Sequence, residues 1–255
     1  MAKKVFISVG HGGSDPGAVA NGFKEKDLNL SIALACYAEL QRHGVTVLIS
    51  RTKDIDDGDT AVTCNAFGAD LAVDIHNNAG KGDGAEVYYS INGGLGKTLA
   101  QNVLAEIVAI GQNSRGIKTR KGSSGKDYYH FIRVTKCAAV IVECAFVDNA
   151  NDIKIIDTAA EQKKMGVAIA KGILKTLEIA YTEEKEPETP AKTESATVNN
   201  LYRVKNEIIV ADPAKVRTTG NGIFTIVEEK TVNDVVYGKL KSGAGWVRLT
   251  NAEKV

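Results

Sequence analysis

Short apolar runs rich in Val, Ile and Ala recur along the first part of the chain, at Val5–Val9, Val45–Ile49, Leu71–Ile75, Ala85–Tyr89 and Ala138–Val142. Each is bounded by turn-forming residues, which predicts strands. Over Lys26–Arg42, Leu95–Ile110 and Asp157–Ile179 the apolar residues instead return every three or four positions, the period of a helix with one buried face. Strands alternating with helices imply layers of α and β packed on one core. The stretch Asn77–Asp83 reads as a tight, hairpin-like lead into Ala85–Tyr89, so the sheet is expected to be mixed. The fold class is α/β, a mixed β-sheet flanked by helices.

The pattern stops after residue 181. The run TEEKEPETPAKTESATVNN has almost nothing to bury and describes a flexible, partly extended linker. Beyond it, strand-like pieces at Gly222–Val227, Val235–Leu240 and Trp246–Leu249 are separated by Gly, Asn and Lys turns. This predicts residues 1–180 as one domain, 181–200 as linker and 201–255 as a small all-β unit. So short a unit has a marginal core, for which Phe224, Tyr237 and Trp246 are the expected filling.

Composition removes several functions. A formal net charge of +1 over 255 residues gives no field suited to nucleic acid or to polybasic membrane contact. The four cysteines, Cys36, Cys64, Cys137 and Cys144, form no CxxC pair and read as reduced, mostly buried thiols. The opening Met1–Gly10 has too short an apolar run and no cleavage site for a signal peptide. No segment reaches the roughly 20 apolar residues that span a bilayer. A soluble protein without membrane anchoring is expected, and its oligomeric state is open.

The chain has four histidines. His11 follows the first strand inside Gly10-His11-Gly12-Gly13-Ser14-Asp15-Pro16-Gly17, and His76 ends Leu71–Ile75, so both stand at strand carboxyl ends, where α/β sheets hold ligands. Glu25 opens the first helix and can turn back to the same rim. Two imidazoles and a carboxylate with a free fourth position form a recurring catalytic zinc set, although Glu25 could equally favour a helix N-terminus. Glu143 closes the apolar run Ala138–Val142, where an unpartnered carboxylate is costly. Its partner is either a metal or metal-bound water, or a cation such as Arg51 or Arg115. His43 precedes Gly44 as a helix C-terminal residue, and His130 is either a cleft residue or a partly exposed structural one.

Several motifs fail on inspection. Gly93-Gly94-Leu95-Gly96-Lys97-Thr98 ends like a phosphate loop but has Ile91 where the first glycine belongs, so it reads as a helix start. HExxH, the zinc-deaminase pattern and GxSxG are absent from the sequence. A pairing of Cys144 with a histidine in space stays open.

The segments GHGGSDPG, Lys24–Leu28, Ser50–Asp54, Asp74–Asn78 and Val142–Asn149 together resemble the zinc-dependent N-acetylmuramoyl-L-alanine amidases of the Amidase_3 group, in order, over about residues 4–178. The resemblance implies an α/β sandwich, with His11, Glu25 and His76 matching the zinc ligands and Glu143 the catalytic glutamate. It departs from the family in having Ser8 or Val9 in place of the Asp before GHGG, and Asp74 in place of the Ser of SxHxN. Thr63–Phe67 also replaces an Arg-rich helix. The end of the chain resembles bacterial SH3-like wall-binding modules, without identifiable binding residues.

The activity implied is hydrolysis of peptidoglycan at the amide between the muramic acid lactyl group and L-alanine. A phage lysin made in the cytoplasm and released through a membrane hole fits, as does a sporulation enzyme, and the C-terminal module would hold a cell-wall polymer. The alternatives are a zinc peptidase cutting within the wall peptide and a non-catalytic wall-binding protein.

Overall fold

The computed structural model describes residues 3–183 and, beyond them, 200–205, 208–210, 217–218, 221–232, 235–242, 246–249 and 252–254. The chain divides into two compact units, residues 1–182 and 183–255. Most of the expected linker, residues 184–199, lies outside the described residues.

In the first unit the strands are β1 (Lys4–Val9), β2 (Val19–Ala20), β3 (Phe23–Lys24), β4 (Thr46–Ile49), β5 (Leu71–Asn78), β6 (Ala85–Tyr89), β7 (Ser114–Lys118) and β8 (Ala138–Phe146). The helices are α1 (Glu25–Arg42), α2 (Thr60–Phe67), α3 (Leu95–Ala109), α4 (His130–Val134) and α5 (Ala159–Thr176). Six strands form one sheet in the order β4-β1-β5-β8-β6-β7. The first four run parallel, and β6 is antiparallel to β8.

The sheet is therefore mixed, but not through a hairpin at Asn77–Asp83. Strand β8 lies between β5 and β6 and pairs with both. The edge of β5 is taken by a strand distant in sequence, which a local pattern cannot reveal. Helix α5 begins at Ala159, later than its apolar pattern suggests, because the Thr158 side chain caps it by accepting the Glu161 N–H at 3.2 Å.

Side chains alternate across the sheet. Val5, Ile7, Val9, Val73, Ile75, Val140 and Val142 point to a core covered by α1, α3 and α5. Two glycines let α5 settle between its neighbours: a Cβ at Gly166 would lie 2.4 Å from the Ile32 carbonyl oxygen, and one at Gly172 2.4 Å from the Val103 Cα. The opposite face presents Phe6, Ala72, Ala139 and Ile141 to α2 and α4 through Ala61, Cys64, Phe131 and Ile132. Those two helices are short and cover only part of this face. It is here that the polar residues at the carboxyl ends of β1, β5 and β8 emerge.

The second unit is one sheet of β9 (Asn200–Lys205), β10 (Ile208–Val210), β11 (Arg217–Thr218), β12 (Asn221–Val232), β13 (Val235–Leu240), β14 (Trp246–Arg248) and β15 (Glu253–Lys254). All its ladders are antiparallel. Ile226, Leu240, Val247 and Leu249 form the buried cluster, with Phe224 packed at its margin. Tyr237 and Trp246 do not fill it as expected: both are only partly buried and lie outside the cluster. Period-two alternation turns Val247 inward, which sends its neighbour Trp246 to the other face, where Lys239 is its ladder partner and lies over its ring.

Candidate metal centre

Strand β1 holds its register through Val9, and the Gly10 N–H then donates to the Ile75 carbonyl at 3.0 Å before the chain leaves the sheet. His11 follows in the left-handed region at φ 60°, a conformation a non-glycine residue keeps only when its surroundings hold it. Lys26 Nζ donates to the Gly13 carbonyl at 2.8 Å and pairs with Asp54 at 2.5 Å. The buried Arg51 donates to the carbonyls of Gly10 at 3.3 Å and Lys26 at 2.9 Å. These cations fasten the loop to the start of α1.

Glu25 is the first residue of α1 and is 4 % exposed. Its Oε2 accepts the Ala18 N–H at 2.9 Å and its Oε1 the Asn77 N–H at 3.1 Å. His11 Nε2 lies 3.2 Å from Oε2, and His76 Nδ1 lies 3.0 Å from Oε1. The imidazoles meet edge to face with centroids 5.0 Å apart. One donor atom from each of the three residues falls within 4.8 Å of the others. The structure thus brings together the two histidines and the glutamate singled out in the sequence.

The backbone around them is cut to fit. A Cβ at Gly10 would stand 2.3 Å from the His76 ring, and one at Gly17, where φ is +63°, 2.6 Å from both Glu25 Oε2 and His11 Cδ2. Asp15 Oδ2 lies 2.8 Å from His11 Nδ1, on the side of the ring away from Glu25. A carboxylate there fixes tautomer and orientation, as such partners do for metal-bound histidines. Asn29 donates to the Gly10 carbonyl at 2.9 Å and accepts from Asn77 Nδ2 at 2.8 Å.

Electrostatics follow from this crowding. Burial pushes the Glu25 carboxyl up, but the hydrogen bonds to His11 and His76 outweigh it and hold the group well below the ordinary range. His11 is raised chiefly by its hydrogen bond to Glu25. Burial lowers His76, yet Asp74, Glu25 and Glu143 together lift it well above the ordinary value.

Glu143 is the Cα partner of His76 across the β5–β8 ladder and of Glu86 across β8–β6. Its Oε2 is buried with no hydrogen-bond partner. Burial raises its pKa to about 7, with His76 opposing and Glu25, Glu86 and Asp74 adding to the rise. Neither arginine considered as a partner serves it. Arg115 pairs with Glu86 at 2.7 Å, and Arg51 donates to backbone carbonyls.

A cleft of about 570 Å³ opens beside His76, lined by Asp59, Asp74, Tyr129, His130 and Phe131 among others. His130 lines the cleft while staying exposed, with Nε2 3.0 Å from Asp59 Oδ2. His43 is the C-cap of α1 and lies outside this site, its Nδ1 2.9 Å from the Glu39 carbonyl oxygen.

The family model described as N-acetylmuramoyl-L-alanine amidase, Amidase_3, matches residues 5–175. The chain belongs to the N-acetylmuramoyl-L-alanine amidase family. Among family members, a sporulation-specific N-acetylmuramoyl-L-alanine amidase of Bacillus subtilis is 31% identical over 239 residues, covering 91% of this chain and 84% of the relative. An endolysin of Bacillus phage SPP1 is 31% identical over 261 residues, covering 95% of this chain and 94% of the relative. The crystal structure of an N-acetylmuramoyl-L-alanine amidase from Clostridium difficile 630 superposes with a TM-score of 0.62 at 32% identity, over 69% of this chain and 97% of that one.

Asp15, Asn29, Asp74 and Arg51 were not picked out of the sequence as parts of the site. Two of them left a signal. Asn29 is four residues after Glu25 and shares its helix face. Asp74 is two residues before His76 and shares its strand face.

Proposed function

We propose that the first unit is a zinc-dependent peptidoglycan amidase that cleaves the bond between the N-acetylmuramic acid lactyl group and L-alanine. The donor chemistry fits zinc: two imidazoles and a carboxylate converge, and aspartate and backbone groups hold them from behind. His11, Glu25 and His76 would hold the ion. When bound, it supplies Lewis acidity, polarising the scissile carbonyl and lowering the pKa of water.

The observation that carries the proposal is Glu143, whose Oε2 is buried without a hydrogen-bond partner beside that cluster and whose pKa in the metal-free protein is raised to about 7 by burial. A group poised there takes the proton of the attacking water and returns it at neutral pH. Glu143 then delivers that proton to the departing alanine nitrogen, because an amide anion is a poor leaving group. The cleft walled by Tyr129, His130 and Phe131 would receive the substrate beside His76.

We assign the second unit as an SH3-like module holding a cell-wall polymer, which fits its small antiparallel sheet and the endolysin relative that spans nearly the full chain. Action at the wall after release from an infected cell follows that relative, and the sporulation amidase keeps a mother-cell role as the second reading. Among the described residues no helix is long and apolar enough to cross a membrane.

Product analysis on purified peptidoglycan tests the reading. New L-alanine amino termini with stem peptides of unchanged length, lost on chelation and restored by zinc, are expected. Shortened stem peptides would establish the peptidase instead. Binding without cleavage by zinc-loaded protein would establish a wall-binding protein.

A further inference from the structure

Each imidazole of the cluster turns one nitrogen to Glu25 and the other to an aspartate. For His11 the outer nitrogen, Nδ1, meets the exposed Asp15. For His76 it is Nε2, which lies 3.4 Å from Oδ2 of Asp74. Asp74 differs from Asp15 in one respect that matters: it is 8 % exposed, and its Oδ1 is buried without a hydrogen-bond partner. A carboxylate in that setting is costly unless a neighbour compensates it.

The neighbours leave His76 as that compensation. Ser8 is the Cα partner of Asp74 across the β1–β5 ladder, but its hydroxyl donates to Thr60 Oγ1 at 3.0 Å. On the other side the ladder partner is Ile141, which offers no polar side chain. Asp74 also stands where the family resemblance has Ser, while Ser8 is one of the two residues standing where it has Asp. These departures meet as neighbours on one face of two adjacent strands, so the polar floor keeps a carboxylate and a hydroxyl.

We propose that Asp74 is a positioning residue for the metal centre: it accepts the Nε2–H of His76, fixing the tautomer that presents Nδ1 to the metal and making that nitrogen a better donor. The inference rests on His76 being a ligand. Partners in this position are worth about 10–100-fold in metal affinity.

The test measures zinc affinity of the full chain by competition with a chromophoric chelator, together with the visible spectrum of the cobalt-substituted protein. Wild type, Asp74→Ala and Asp74→Asn are compared, and the metal-free forms are melted in parallel. Asp74→Ala is expected to bind zinc about 10–100-fold more weakly and to shift the cobalt bands. Asp74→Asn keeps an oxygen acceptor for the imidazole N–H and should recover most of that loss. The metal-free melts show that both variants are folded at the temperature of the zinc titration, so that a loss of affinity is read on folded protein. Zinc affinity of Asp74→Ala within twofold of wild type, with an unchanged cobalt spectrum, overturns the inference, as does Asp74→Asn behaving no better than Asp74→Ala. Failure of wild type itself to bind zinc would overturn the metal reading.

Discussion

Replacing Glu143 by glutamine separates what this residue costs the fold from what it contributes to the reaction. The substitution keeps the side chain's size and removes its charge. In the unfolded chain the carboxyl ionises around its ordinary value of 4.5, whereas in the folded, metal-free protein burial delays ionisation to about 7. The folded state therefore binds more protons across that window. Its stability falls as pH rises from about 4.5, and the penalty is complete above about 7. At about 1.4 kcal/mol per pH unit the shift amounts to as much as about 3 kcal/mol. Glutamine carries no such penalty, so Glu143→Gln should be more stable than wild type by up to about 3 kcal/mol at pH 8 and by little at pH 4.5. Urea unfolding in the presence of a chelator reads the difference at both values. With zinc restored, the same variant should release L-alanine amino termini about 100-fold more slowly or worse, the usual contribution of a proton-transfer group. A stability gain of the same size at both pH values would refute the assigned burial penalty. Near-normal hydrolysis would refute the role.

Other consequences are more local. Gly17→Ala adds a Cβ 2.6 Å from Glu25 Oε2 at a left-handed backbone position, so zinc affinity should fall at least about tenfold, within the range seen when ligand support is lost; unchanged affinity would count against Glu25 as a ligand. Arg51→Met removes the guanidinium that ties together the carbonyls of Lys26 and of Gly10, the latter keeping Asn29 as a donor, and should cost about 1–2 kcal/mol of stability in thermal unfolding. Lysine at position 51 cannot reach both with one compact ammonium, so a full recovery in Arg51→Lys would contradict this account. Because His11 and His76 are both raised, zinc must displace protons, and its apparent affinity should climb with pH until the imidazoles are neutral. Calorimetry in two buffers of different ionisation enthalpy measures that release, and none at neutral pH would argue against these histidines as the site.

Strand and helix positions with a strong repeating pattern were legible in the chain itself. The runs ending at Val9, Ile75 and Val142 are buried strands, and His11 and His76 stood out as candidates because each follows an apolar strand at its carboxyl end. Weakly patterned elements were not legible. Strand β7, with the sequence SRGIK, has no apolar run, and α2 and α4 are too short for a period to accumulate. The order of strands was hidden as well, since β8 enters between β5 and β6 by pairing distant in sequence. That insertion puts Glu143 opposite His76 and keeps Arg115 with Glu86, so only the tertiary structure decided that the group facing Glu143 is an imidazole and not an arginine. Residue types and spacing determine which groups are available for chemistry. Which of them share a low-dielectric space, and so which proton is held and which is given up, depends on distances set by the packed sheet.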